Sequence, residues 1–383
     1  MSTIAESHRF KSNRFESHRS ESDSAVPGFT ADPVQEASGT PSARLARWER
    51  ERARLQGLGL LDPLRHRAGL TDIYVNAPDQ VWTDGAAGLC HEELVFPDDA
   101  AVQELAMRLI TSAGRRLDLG HPCADVQTDQ GYRVHAVLPP ISAGPTRLSI
   151  RLQPEKRPCF LELYERGLFP DAARRILEQM IAERLSFLVS GSTGTGKTTL
   201  LNALLGLCGR EERLVLIEDS NELRPDHAHC VSLQTRQPNA EGAGGIGLTE
   251  LIRQSLRMGP TRLVLGECRG EEIKDLLTAL NTGHEGGGGT LHANSAQAVP
   301  ARLLALGALA GMSAEAVQRQ AVTALRAILH VERTPQGRRL TQIGLLRLRE
   351  DQLVVEPVFE CTPQGAVVLD RSQRLFEDPW SLP

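Results

Sequence analysis

Aromatic residues and long apolar runs are scarce in this sequence, and each shortage narrows the possible functions. Aromatic residues make up 4% of the 383 residues, with three tryptophans and three tyrosines. This content disfavours an extended surface that stacks the bases of single-stranded nucleic acid. The longest apolar stretches, such as 303–312, fall short of the about 18 residues that a membrane-spanning helix needs. We therefore expect no transmembrane segment, and the N-terminal residues lack the apolar core of a secretory signal.

Paired cysteines and an excess of basic residues are also missing. The seven cysteines are scattered, with no CxxC pair and no Cys/His spacing typical of zinc sites. This pattern predicts reduced thiols in a cytoplasmic protein, without a disulfide framework. Lysine and arginine total 43 against 48 acidic residues, which gives a net charge of −5 and disfavours a generally basic nucleic-acid binder. We expect no direct contact with nucleic acid.

The composition along the chain changes twice, which predicts a tail and two domains. Residues 1–42 are polar and poor in aliphatic side chains, so we expect a disordered tail. Residues 43–158 begin with a charged helical pattern and continue with short strand-like runs around one helix, which indicates a small α+β N-terminal domain. In residues 159–383 strand-like runs alternate with helical patterns, which indicates an α/β domain with a largely parallel sheet and helices on both faces.

A phosphate-binding loop is the most specific motif in the sequence. Residues 191–198 read GSTGTGKT and fit the pattern G-x-x-x-x-G-K-[ST], between a short buried-strand pattern at 187–190 and a helical pattern from 199. The glycines allow a tight turn in which backbone N–H groups and the helix N-terminus point at a phosphate. We expect Lys197 to reach the β- and γ-phosphate oxygens and the Thr198 hydroxyl to bind Mg²⁺. The predicted nucleotide-binding residues are Gly191, Ser192, Thr193, Gly194, Thr195, Gly196, Lys197, Thr198 and Thr199.

Acidic residues follow two apolar runs downstream of this loop. The first run ends in Glu218 and Asp219, with Glu222 three residues further on, and the second ends in Glu267. Because strand C-termini face the ligand crevice of an open parallel sheet, we expect these acids to point at the phosphates. One acid would orient Mg²⁺ and its waters, and another would polarise the attacking water.

Two histidines flank a run of four glycines after the second acidic strand. His284 precedes residues 286–289 and His292 follows them. Two histidines beside a γ-phosphate would suit a phosphate sensor or relay. The uninterrupted glycines predict a flexible loop here. The second acidic strand also carries Gly266 at the position where P-loop ATPases usually have an aspartate.

Four segments together resemble the secretion-ATPase superfamily of type II and type IV secretion and type IV pilus assembly. They correspond to its Walker A, Asp box, Walker B and His box, and they read GSTGTGKT, LIEDSNEL, LVLGECRG and TGHEGGGGTLHANS. Within that superfamily the chain is similar to the CpaF-like branch of Tad/Flp pilus assembly ATPases, also called TadA-type. The segments that carry this similarity are LTDIYVNAPDQVWTDG, GYRVHAVLPPISAGPTRLSIR and ALRAILHVERTPQGRRLTQI, and the resemblance covers about residues 60–360.

The resemblance implies a RecA-like P-loop ATPase domain with a smaller α+β N-terminal domain, and it implies roles for the acids and histidines. Glu222 would be the general base. Glu267 would order Mg²⁺-bound water, supported by Asp219 or Glu218. Two further residues, His284 and His292, would sense the γ-phosphate.

The resemblance further implies a homo-hexamer that binds ATP between its two domains and acts on an integral-membrane platform protein. It would work in the cytoplasm, peripheral to the inner face of the cell membrane. Cations must also neutralise the transferring phosphoryl group, from the same or a neighbouring subunit. The candidate arginines are Arg133, Arg147, Arg151, Arg236, Arg257 and Arg269.

The leading hypothesis is an ATP-hydrolysing motor whose domain motion drives the platform protein. A scaffold that binds ATP with little turnover is an alternative, which the presence of Lys197, Thr198, Glu222 and Glu267 disfavours. A conjugation- or competence-type DNA-transfer motor is another alternative, which the acidic net charge and low aromatic content disfavour. The sequence leaves open whether the machine extends a pilus, retracts one or exports a substrate.

Overall fold

Two β-sheets organise the part of the chain that the structure describes. In this computed structural model the described residues are 57–85, 88–128, 130–152, 157–236, 238, 243–362 and 365–377. They belong to one compact unit, residues 52–383. The predicted tail 1–42 and the helix expected to begin at residue 43 lie outside the described residues, so both stay predictions, as do the domain limits at 42 and 158.

The first sheet has six antiparallel strands in the order β3-β2-β1-β6-β5-β4. Helix α2 (Asp99–Ser112) packs on it and begins at Asp98, whose carboxylate accepts a hydrogen bond of 2.9 Å from the Ala101 amide. One face of the strands is buried and the other is exposed, as expected for a sheet covered on one side. The elements are α1 (Asp62–Arg65), β1 (Leu70–Ala77), β2 (Gln80–Gly85), β3 (Cys90–Glu92), β4 (Cys123–Gln127), β5 (Arg133–Val137) and β6 (Arg147–Arg151).

The second sheet has nine strands in the order β15-β14-β13-β12-β7-β11-β10-β8-β9. The six strands from β12 to β9 are parallel, and β13, β14 and β15 extend the sheet as antiparallel hairpins. The strands are β7 (Phe187–Gly191), β8 (Leu214–Glu218), β9 (Cys230–Gln234), β10 (Arg262–Cys268), β11 (Gly288–His292), β12 (Ala327–Thr334), β13 (Gly337–Arg349), β14 (Gln352–Thr362) and β15 (Gly365–Val368).

Helices cover both faces of the second sheet and separate its core into two clusters. One cluster contains the buried residues of α4 and α5, and the other contains those of α6 to α9. The helices are α3 (Phe160–Glu165), α4 (Asp171–Ala182), α5 (Lys197–Leu205), α6 (Leu248–Ser255), α7 (Glu272–Leu280), α8 (Val299–Leu309) and α9 (Ala314–Ala324). The predicted fold class, an α/β domain with a smaller α+β domain, is confirmed. Among the described helices, none is long and apolar enough to cross a membrane.

Strand β11 lies so close to β7 and β10 that its glycines leave no room for side chains. A methyl group on Gly288 would overlap the backbone oxygen of Phe187, and one on Gly287 would overlap that of Leu263. All four glycines at 286–289 are buried. The expectation of a flexible loop here is therefore wrong, because the glycines serve close packing of a central strand.

Candidate active site

The loop between β7 and α5 has the shape of a phosphate cradle. Gly196 begins α5 with a φ of +97°, a left-handed conformation that favours glycine. A side chain on Gly191 would overlap the backbone oxygen of Val331. The Thr195 hydroxyl donates a 2.9 Å hydrogen bond to the Ser192 carbonyl and closes the turn. The exposed residues of the loop are Ser192, Thr193 and Gly194, and Thr198 and Thr199 are half-buried in the first turn of α5.

Lys197 is connected to Glu267 through His292. Its ammonium lies 2.9 Å from the Ser192 carbonyl and 3.3 Å from Nδ1 of His292. Because an ammonium can only donate, Nδ1 accepts, and the imidazole proton is on Nε2. That Nε2 faces a Glu267 carboxylate oxygen at 2.8 Å. The end of β11 thus places one histidine between the P-loop lysine and the acid of β10.

Burial and charge favour the neutral form of this histidine. Burial lowers the pKa of His292, and the positive charge of Lys197 lowers it further, while Glu267 opposes them. Burial also lowers the pKa of Lys197, with Glu267 raising it and Arg269 lowering it. A lysine partly deprived of water and beside a neutral imidazole lacks a strong counter-charge, so the site favours an anionic ligand.

Arg269 joins the two acidic segments. Its guanidinium donates to Glu267 at 2.6 Å and lies 3.6 Å from Asp219. The hydrogen bond to Glu267 raises the pKa of Arg269, and the charges of Glu267, Asp219 and Glu222 raise it further. The predicted acids of β8 and β10 therefore meet at one edge of the sheet, around a single arginine.

Glu222 lies in the loop after β8, and its backbone is held from several sides. Its amide and that of Leu223 donate to the buried Glu218 carboxylate, at 3.2 and 3.1 Å. Its carbonyl accepts a 3.1 Å hydrogen bond from Arg157, which follows the first sheet in the chain. Gln127 on β4 donates at 3.2 Å to the carbonyl of the preceding residue. The acidic loop therefore contacts both sheets.

His284 does not lie beside the P-loop of its own chain. Its Nδ1 is 2.9 Å from the carbonyl of Pro260, which precedes β10. His292 pairs with Gly191 at the opposite end of β11. A five-residue strand at about 3.3 Å per residue separates these ends by more than 10 Å. The prediction that both histidines face the same phosphate is corrected in this respect, because they lie at opposite edges of the sheet.

The candidate arginines fall into two groups. Arg269 and Arg133 lie at the acidic edge: Arg133 donates at 2.7 Å to Asp125, and the charges of Arg269 and Glu222 act on its pKa. The other candidates make contacts elsewhere. Arg147 bonds the Asn76 carbonyl, Arg151 pairs with Asp72, Arg236 bonds the Gly244 carbonyl and Arg257 bonds the Arg253 carbonyl.

Four further residues belong to this neighbourhood and were not predicted. Arg157 and Gln127 act through backbone carbonyls, which no sequence motif reveals. Arg338, at the start of β13, donates at 2.9 Å to the Gly194 carbonyl of the P-loop. A further buried histidine, His330 on β12, lies 2.8 Å from the hydroxyl of Ser190, directly before the P-loop. Only the adjacency of β12 to β7 in the folded sheet brings the last two here.

The donors at this edge fit a magnesium ion. Mg²⁺ is held in nucleotide sites by one or two protein oxygens together with phosphates and water. The Thr198 hydroxyl and the Glu267 carboxylate supply such oxygens near Lys197. Among the described residues no group of three or more His, Cys, Asp or Glu side chains could hold a metal alone.

The fold and this site define the RecA-like P-loop ATPase class. A phosphate loop follows the central strand β7, and acids end the neighbouring strands β8 and β10. The model of the type II/IV secretion system protein family matches residues 55–348. The chain belongs to this family.

Relatives and solved structures agree with this placement. A putative conjugal transfer protein of Mycobacterium tuberculosis strain H37Rv is 46% identical over 306 residues, 78% of this chain and 87% of the relative. The type IV secretion system protein PtlH of Bordetella pertussis is 33% identical over 273 residues, covering 64% and 79%. The pilus retraction motor PilT with bound ADP matches at a TM-score of 0.57 and 19% identity, over 86% of this chain and 99% of that one. This last match supports the fold alone.

Proposed function

We propose that this protein is an ATP-hydrolysing motor of a type II/IV secretion or Tad-type pilus assembly machine, in the CpaF-like branch of the family. The observation that carries the proposal is the connected set Lys197–His292–Glu267–Arg269–Asp219 at the carboxyl edge of the sheet. It joins the phosphate loop to both acidic strands. A scaffold that only binds nucleotide would need the P-loop but not these acids.

In this proposal the phosphates of ATP lie in the loop 191–197, and Lys197 leaves the Ser192 carbonyl to meet the β- and γ-phosphate oxygens. Thr198 and Glu267 hold Mg²⁺, partly through water. When bound, that ion neutralises charge on the phosphates and orients the γ-phosphoryl group. His292 holds its proton on Nε2 toward Glu267, so its Nδ1 is free to change partner when Lys197 moves to the phosphate.

Glu222 is the proposed general base, and its position suits that role. It is half-buried, and its charge acts on Arg133, Arg157 and Arg269. A carboxylate in this loop can accept a proton from the attacking water. Asp219 supports the site by its ion pair with Arg269. Arg269 and Arg133 are the candidates to neutralise the transferring phosphoryl group.

Domain motion would act on this loop through its backbone. Gln127 of the first sheet and Arg157 hold the carbonyls of Asn221 and Glu222. A rotation of the N-terminal domain would change these contacts and move Glu222 relative to the phosphates. ATP binding and hydrolysis could thereby be coupled to the position of that domain, and through it to a membrane platform protein.

The proposed assembly is a homo-hexamer in the cytoplasm, peripheral to the inner face of the cell membrane. A ring would allow an arginine of one subunit to reach the phosphates of another. His284, at the opposite edge of the sheet, would then sense nucleotide only through a neighbouring subunit. The proposed roles of the arginine and of His284 across the subunit boundary rest on family membership.

The experiment is Mg²⁺-dependent ATP turnover measured across protein concentration, for the wild type and Glu222→Gln. Glu271→Gln is the matched control, because Glu271 is exposed and its carboxylate makes no hydrogen bond or ion pair within the described part of the chain. We expect the specific rate to rise with concentration and to be abolished by Glu222→Gln alone. A near-zero wild-type rate at all concentrations would favour the scaffold. Full activity in Glu222→Gln would show that Glu222 is not the general base and would assign that role to Glu267.

A DNA-transfer motor is the second candidate, and the 46%-identical relative, a putative conjugal transfer protein, favours it. Its test is the same turnover assay with single- and double-stranded DNA over a range of salt concentrations. Stimulation that falls steeply with salt would support this candidate, because phosphate contacts release counterions. A turnover rate that does not change when DNA is added would favour the protein-transport motor.

A further inference from the structure

Glu218 is a buried acid at the end of β8, within hydrogen-bonding distance of the loop that carries Glu222. Its side chain is 4% exposed. Burying a carboxylate costs free energy unless hydrogen bonds compensate for the lost hydration. The apolar core residues that precede it, Leu216 and Ile217, have no such cost. The position therefore calls for an explanation other than packing.

The hydrogen bonds of Glu218 are directed at two backbone amides. One oxygen accepts from Glu222 at 3.2 Å and from Leu223 at 3.1 Å, and the other accepts from Leu223 at 3.1 Å. The carboxylate therefore ties the residues after Asp219 back onto the end of the strand. The amide of Glu222 is one bond from its Cα, so this contact determines where the Glu222 side chain begins.

Gly266 supplies the space in which the Glu218 side chain lies. A methyl group on Gly266 would lie 2.7 Å from Cγ of Glu218 and 3.1 Å from its Oε1. Gly266 is on β10, which pairs with β8 in parallel up to Leu265 and Ile217. This contact explains why the strand has glycine where other P-loop ATPases carry an aspartate.

Other charged groups face Glu218 without bonding it. Burial raises the pKa of Glu218 most strongly, the two backbone hydrogen bonds lower it, the charge of Glu222 raises it and that of Arg157 lowers it. Arg157 in turn donates to the Glu222 carbonyl, so the Glu222 peptide is held on both sides. Within the described residues, the Glu218 carboxylate accepts hydrogen bonds from the loop amides and makes none with Lys197, His292 or Arg269.

We propose that Glu218 is a positioning residue for Glu222, which acts through the backbone of residues 219–223, and that Gly266 is required to accommodate it. The inference rests on the proposed function, since it takes Glu222 to be the base. Glu218 itself would touch neither nucleotide nor metal ion.

The test compares Glu218→Gln and Gly266→Ala with the wild type by kcat, by the dissociation constant for ATP and by hydrogen–deuterium exchange of residues 219–223. Glutamine keeps the shape but loses the charge and half of the accepting oxygens. Alanine at 266 displaces the Glu218 side chain. Gly247→Ala is the matched control, because Gly247 has a φ of −92° and no atom near its missing side chain.

We expect both variants to lower kcat by about ten-fold or more, the scale of losing a hydrogen bond to a charged group, and to leave ATP affinity within about two-fold. Exchange of the 219–223 amides should become faster, and Gly247→Ala should change nothing. Unchanged kcat in Glu218→Gln beside an inactive Glu222→Gln would overturn the proposal. Equal losses in affinity and kcat would also overturn it, because Glu218 would then act in binding.

A wild type without turnover would instead refute the proposed function, and the exchange measurement would still test the loop contact. If Glu218→Gln does not fold, the kcat and exchange measurements on Gly266→Ala test the proposal.

A double variant tests the explanation of Gly266. Adding Gly266→Ala to Glu218→Ala should have little further effect on kcat, because the side chain that alanine would displace is absent. An additive loss in that double variant would contradict the explanation of Gly266.

Discussion

The buried charge of Glu218 makes a quantitative prediction about stability. Burial raises the pKa of Glu218 to about 7, from an ordinary value of 4.5. The folded state thus binds this proton more tightly than the unfolded state does. Well below pH 4.5 the carboxyl group is protonated in both states and does not change the free energy of unfolding. As the pH rises toward 7 the unfolded chain ionises first, so stability falls, and above about pH 7 the full penalty applies.

The size of the penalty follows from the shift. One pKa unit corresponds to 1.36 kcal/mol, so the ionised Glu218 destabilises the fold by about 3 kcal/mol at pH 8. Glu218→Gln cannot ionise. We therefore expect its free energy of unfolding, relative to the wild type, to increase by about 2–3 kcal/mol between pH 5 and pH 8.

The assay is urea unfolding followed by far-ultraviolet circular dichroism at several pH values. The sign is the informative part, because removing a group that merely packs or bonds would lower stability at every pH. A difference between variant and wild type that stays constant with pH would refute the reasoning. A gain in stability together with a loss of kcat would show that the buried charge is kept for activity.

Three further predictions follow from other contacts. Glu212→Gln should destabilise the fold by about 3–5 kcal/mol at pH 7 in the same unfolding assay, because it removes the negative charge that faces the 1%-exposed Arg262 at 2.6 Å; a loss under about 1 kcal/mol would contradict this. Lys197→Ala should weaken ATP binding at least ten-fold in calorimetry, and unchanged binding would remove the loop from the phosphate site. Gly288→Ala should abolish soluble expression while Gly247→Ala expresses normally, since only the first adds atoms inside a backbone contact.

The parallel sheet was predictable because its central strands are buried on both faces. Runs such as 187–189 and 214–217 are continuously apolar, and the structure has strands at both places. Strands β3 and β4 and helix α3 were not predicted. Their sequences, CHE, CADVQ and FLELYE, are short and mix polar with apolar residues, so neither periodicity stands out.

The residues of the site were predictable where a motif lies at the end of an apolar strand. They were not predictable where a segment distant in sequence contacts the site. Glu267, Asp219 and His292 lie at one edge because parallel strands end there. His284 was placed wrongly, because the strand that separates it from His292 puts the two histidines at opposite edges of the sheet. Arg338 contacts the Gly194 carbonyl of the P-loop although 144 residues separate them in sequence. The pairing of β12 with β7 brings them together, and motif spacing cannot show this.

The position of β11 has a consequence for how the chain folds. This strand follows β7, β8 and β10 in the sequence, yet it lies between β7 and β10 in the sheet. Lys197 follows β7 and Glu267 ends β10, and only the insertion of β11 brings His292 between them. Such non-local pairing is slow to form, so the phosphate site would be completed late in folding. Nucleotide present during refolding would therefore bind and stabilise the finished native state without recruiting intermediates that still lack the central strand.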